Sequence, residues 1–186
     1  ITMSFLAFLI LEKILLPKFG IPLLLSISLP LALFIPLGLV MDFVHEFGHA
    51  LWGMAVGGRL TYMKIAYFEI FPQLALTSEF VLGYVRVEGL RTEFANGLFL
   101  LGGSMTTNIV SWLLALILVK TKLGSKVRVA LKILGLFGIL DLPFYVIFPQ
   151  IGLQHWIFLG GRITEPLTGA RKIGICLLYT SDAADE

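Results

Sequence analysis

From Phe19 to Met41 and from Ala95 to Val119 the chain carries no Asp, Glu, Lys or Arg. Each run exceeds the roughly 20 residues that cross a hydrocarbon core as a helix. A third run, Ile133 to Pro149, is shorter and has one charged residue, Asp141, near its midpoint; it is expected to span as well. Upstream, Met3 to Leu16 is apolar apart from Glu12 and Lys13 and stops at Pro17, the pattern of a helix cut short. Between the first two long runs the period changes. Stretches such as Val81-Leu82-Gly83-Tyr84-Val85-Arg86-Val87-Glu88 alternate, with Pro72 between two such runs, which predicts short strands paired as a hairpin at the membrane surface.

The first apolar element, Pro22 to Val56, is longer than one straight span requires and contains Pro22, Pro30 and Pro36. An internal proline removes a backbone hydrogen bond and crowds the preceding turn, so a kink or break is expected near Pro30 to Pro36. The helix beyond it then runs from about Leu37 to Val56 and ends at Gly57-Gly58. Gly102-Gly103-Ser104 in the second span are small residues of the kind that let helices pack closely in lipid. Lys120 to Lys132 reads as a basic loop, and Gln150 to Lys172 as a Gly-rich re-entrant or surface tail. The expected fold class is an all-α polytopic membrane protein. It has three core transmembrane helices, a partial N-terminal helix over 1–20, and a small membrane-surface β-hairpin between the first and second core helices. The core covers 21–172, and 173–186 reads as a non-native tail.

Composition agrees with this and removes other classes. Hydrophobic residues make up 58% of the 186 and charged residues 14%, and the mean hydropathy is +0.93, well outside the range of soluble globular domains. A formal charge of +2, with no interleaving of basic and aromatic residues, gives no footprint for nucleic acid. The one cysteine, Cys176, opens the segment Cys176 to Glu186, which reads as translated adapter sequence and is set aside. Without it the chain has no thiol for a disulfide or a Cys-ligated metal.

Candidate chemistry lies inside the first apolar element. His45-Glu46-Phe47-Gly48-His49 is an H-E-x-x-H motif. Four residues advance a helix by slightly more than one turn, so both imidazoles project from one face and can hold one zinc ion. Glu46 beside them is placed to act as the general base that takes a proton from the attacking water. An Asp at this depth costs about 2.5 to 3.5 kcal/mol on insertion scales, whereas zinc on deprotonated ligands contributes on the order of 10 kcal/mol. A catalytic zinc normally has three protein ligands. Asp141, alone in an apolar helix, is the leading candidate for the third; a helix-capping Asp before Pro143 is the competing account. His155, beside Trp156, is the alternative ligand, in a setting where such a pair is more often an interfacial anchor. Asp42 lies one turn before His45 and Glu46 and could orient a ligand from behind.

These residues resemble the site-2 protease family of intramembrane zinc metalloproteases. The resemblance covers about Leu31 to Pro149. It rests on His45-Glu46-Phe47-Gly48-His49-Ala50 in a hydrophobic helix, the Gly57-Gly58 turn with strand-like sequence after it, the small residues of the next span, and Asp141 in the third. It implies His45, His49 and Asp141 as Zn2+ ligands, Glu46 as base, and Asn108 as the match to an Asn that assists the active site. Where the family has Gly-Pro and Leu-Asp-Gly, this chain has Gly103-Ser104 and Leu140-Asp141-Leu142-Pro143. The implied activity is hydrolysis of peptide bonds in transmembrane segments of other membrane proteins, by a minimal core in a prokaryotic cell membrane. The strand-like segment between Tyr62 and Val87 would hold the unwound substrate by strand addition, or pack only on its own protein. The alternatives are a catalytically silent relative that binds transmembrane segments and a membrane metal-ion carrier. Glu46 favours the enzyme, because transport needs ligands but no base.

Overall fold

The computed structural model describes residues 21–153, 160, 161 and 163–175, with side chains from Leu31 onward. The partial N-terminal helix expected over 1–20, His155 and the tail from Cys176 lie outside the described residues. Helix α1 spans Ile21–Ala55, strands β1 and β2 span Arg59–Phe71 and Ala75–Glu88, and helices α2, α3 and α4 span Glu93–Lys120, Ser125–Ile147 and Glu165–Lys172. Three segments, Leu31–Ala55, Glu93–Lys120 and Ser125–Ile151, are helices long and apolar enough to cross a membrane.

The ends of these helices follow their sequence. Helix α1 stops at Gly57, whose φ of 90° suits glycine, and the Gly58 amide donates to the Gly53 carbonyl at 3.0 Å. Thr92 caps α2 by accepting from the Ala95 amide at 3.0 Å, with Glu93 in the first turn and Lys120 in the last, each at the favourable pole of the helix. Two expectations are corrected. Of the kink or break expected near Pro30 to Pro36, the break does not occur: α1 is helical throughout, since each proline removes a single hydrogen bond in a helix otherwise complete. The basic stretch is also largely helical. Helix α3 begins at Ser125 and continues through Pro143, and its first turns carry Lys126 and Lys132 exposed and Arg128 half-buried, residues with good helix propensity.

The three long helices meet through small residues. A Cβ on Gly48 of α1 would lie 2.5 Å from the Gly102 carbonyl of α2, so the two backbones touch where they cross, and Trp52 Nε1 donates to Thr106 Oγ1 beside that crossing at 3.2 Å. Helix α3 approaches α2 at Gly138, where a Cβ would collide with Ser111 Oγ and lie 2.6 Å from the Thr107 carbonyl. Gly138→Ala is therefore expected to destabilise the fold by about 1 to 3 kcal/mol, seen as a lower melting temperature in detergent. Gly124→Ala meets nothing within 4 Å and should melt like the parent. Met41 and Phe137 are buried with Phe34, Val44 and Leu140 around them. Large apolar side chains such as Trp112, Leu116, Val119 and Leu136 face outward.

The strands form one antiparallel hairpin, with Arg59 opposite Glu88, Met63 opposite Val85 and Ile65 opposite Gly83. The hairpin folds back along α1: Ile65, Ala66, Phe68 and Ile70 line a cleft with Leu39, Val40 and Phe43 of that helix. The cause is its inner face. Met63 and Val85 are buried with Ala50 of α1, and Leu60, Ile70 and Phe99 pack around them, so apolar area is removed from solvent only when the strands lie against the helix.

Candidate metal centre

His45 and His49 stand one turn apart on α1, both buried, with Nε2 atoms 3.0 Å apart. Their Nδ1 atoms are engaged elsewhere. His49 Nδ1 lies 2.5 Å from the Phe99 carbonyl, which can only accept, so this nitrogen carries the proton and Nε2 presents a lone pair. His45 Nδ1 lies 3.1 Å from Asp141 Oδ2. Aromatic rings hold both imidazoles: Tyr145 stacks on His45 at 4.7 Å and 11°, and Phe99 lies 5.2 Å from His49. Gly103 of α2 backs the pair, and a Cβ there would collide with His45 Nε2 and sit 2.5 Å from His49 Nε2.

A third donor arrives from the far end of the chain. Glu165, the first residue of α4, places Oε2 3.3 Å from His49 Nε2 and 3.9 Å from His45 Nε2. Within the described residues, His45, His49 and Glu165 form the group whose ligand atoms converge within 4.8 Å and could hold a metal ion. Bonds of about 2.0 to 2.1 Å in a tetrahedron put ligand atoms about 3.3 Å apart, and the separations of 3.0, 3.3 and 3.9 Å bracket that value. Two facing imidazole lone pairs and a carboxylate are a donor set that a divalent cation satisfies. Burial pushes the Glu165 carboxyl up, while hydrogen bonds and charge from His45 and His49 in their protonated, metal-free form pull it down to about 2; a bound cation would take the place of those protons.

Helix α4 is delivered by close packing on α2. A Cβ on Gly97 would lie 2.8 Å from the Gly169 carbonyl, and one on Gly169 would lie 2.7 Å from the Gly97 carbonyl. Lys172 pairs with Glu93 at the same junction. Glu165 lies within Gln150 to Lys172, the Gly-rich stretch expected to be a re-entrant or surface tail, and is not among the expected site residues. The available signal was Thr164-Glu165-Pro166, an N-cap residue followed by an acid and a proline in the first turn.

The other expected site residues divide. Glu46 is buried beside the pair, and β2 comes so close that a Cβ on Gly83 would lie 2.5 Å from its Oε1. Asp141, expected as a ligand, reaches His45 from the Nδ1 side, away from the facing Nε2 atoms, and also accepts from Thr107 Oγ1 at 2.9 Å. Asp42 Oδ2 is buried with no hydrogen-bond partner among the described residues. Asn108 Nδ2 donates to the Ser104 carbonyl of its own helix at 2.8 Å.

Comparison with protein families, curated proteins and solved structures gave no match to this chain.

Proposed function

We propose that this chain is an integral membrane zinc metallopeptidase, resembling the site-2 protease family, that hydrolyses peptide bonds within or near transmembrane segments of other membrane proteins. The observation that carries the reading is the convergence of His45, His49 and Glu165 beside the carboxylate of Glu46, between helices long and apolar enough to cross a membrane. Two His and one Glu are a ligand set of catalytic rather than structural zinc, which leaves a position for water. Bound there, zinc supplies a Lewis acid for the hydrolysis of a carbonyl compound.

The chain's own residues do the rest. His45, His49 and Glu165 hold the ion, with Phe99 fixing the His49 ring through its carbonyl. Glu46 accepts the proton of the attacking water and returns it to the leaving amine. The flanking helices keep bulk water away from a site in which His45 and His49 are 4% and 3% exposed. A substrate helix must unwind to present a peptide bond. The hairpin lying along α1 supports that step, because an extended segment can pair with strand backbone whatever its side chains.

The test is metal analysis of the detergent-purified protein with a cleavage assay on a single-span reporter in proteoliposomes. About one zinc per chain, loss of cleavage on chelation and recovery with zinc are expected. Glu165→Ala should weaken zinc binding by more than the roughly 10- to 100-fold that follows loss of an outer contact. Zinc flux into the vesicles without cleavage would instead establish the carrier.

A further inference from the structure

We propose that Asp141 is a positioning residue that holds His45 through Nδ1, oriented by the buried Thr107 hydroxyl of α2, and does not itself bind the ion. This rests on the metal centre proposed above. The two nitrogens of an imidazole point in diverging directions, and whichever is engaged by an outer partner sets the other's role. Asp141 Oδ2 takes Nδ1 at 3.1 Å, so the His45 proton sits there and the Nε2 lone pair turns toward His49 Nε2 and Glu165.

The carboxylate is itself oriented. Thr107 Oγ1 lies 2.9 Å from Asp141 Oδ2 and 3.0 Å from the Ser104 carbonyl, and a hydroxyl has one proton to give. An ionised carboxylate is the stronger acceptor of the two, which favours giving the Thr107 proton to Asp141. Thr107 is 0% exposed and Asp141 3%, so no bulk solvent competes with the contact. Gly138, one turn before Asp141, lets α3 approach α2 closely enough for the contact. The result is a carboxylate–histidine–metal arrangement, in which the outer carboxylate fixes the tautomer and makes the ligating nitrogen more basic.

The experiment uses the full chain in detergent, with Co2+ and Zn2+ as probes and 15N-labelled histidine in the metal-free protein. In the parent, His45 should show the Nδ1–H tautomer. Asp141→Asn keeps an acceptor, so it should retain that tautomer, leave the ligand-field bands of bound Co2+ in place, and weaken zinc by about 10- to 100-fold. Asp141→Ala and Thr107→Val should release the tautomer to differing degrees without altering the number of ligands that Co2+ reports. A changed Co2+ coordination in Asp141→Asn would show that Asp141 is a ligand and overturn the proposal. Unchanged tautomer and affinity in Asp141→Ala would overturn it too. If the parent binds neither ion, the metal reading itself fails, an outcome separate from both.

Discussion

Glu46→Gln is expected to slow cleavage of a membrane-spanning reporter by about 100- to 10,000-fold, the range that a positioned general base supplies, while zinc stays bound at the parental stoichiometry. The substitution keeps the shape of the side chain, and shape matters here. Glu46 is 9% exposed, and β2 presses on it so closely that Gly83 has no room for a Cβ. A shorter residue would leave a void and confuse a packing defect with a chemical one. Glutamine fills the same space and removes only the ability to take a proton. Zinc content and turnover measured on one preparation separate the outcomes. Parental turnover would remove Glu46 from the reaction, and loss of zinc would show that it supports the ion as well.

Gly103→Ala is expected to reduce zinc affinity more than 100-fold, on the order of 3 kcal/mol by the usual conversion, with helical content preserved. The added methyl would collide with His45 Nε2 and sit 2.5 Å from His49 Nε2, well inside van der Waals contact. Neither ring can easily yield, since Tyr145 covers one and Phe99 flanks the other. Alanine is also the best helix former, so α2 has no local reason to unravel. Circular dichroism and a zinc competition titration measure the two quantities separately. Parental zinc affinity in this variant would show that the Nε2 pair does not form the ion's seat.

What could be read from sequence was what depends on neighbours in the chain. The four-residue spacing of His45 and His49 fixes their common face wherever the helix lies, and charge-free runs mark apolar helices by length alone. Gly102-Gly103-Ser104 was legible as a close-packing motif, yet its two glycines differ in use: Gly102 meets the Gly48 backbone, while Gly103 makes room for imidazoles. Alternation in the strand region announced two faces, but not that α1 would cover one of them. Asp141 was singled out for its isolation in an apolar helix and does meet His45, but depth and charge carry no information about which ring nitrogen it meets. Glu165 escaped because its importance comes entirely from a distant contact, the seating of α4 on α2 through Gly97 and Gly169.

A ribosome delivers His45 and His49 long before Glu165, and chains begin to fold from the N-terminus as they are made. On the proposed reading, a growing chain carries two ligands of three until its last described helix is synthesised and settles against Gly97. If the chain is a hydrolase, it would thus be inert while its own spans are still being made, and its competence would date from the moment α4 docks.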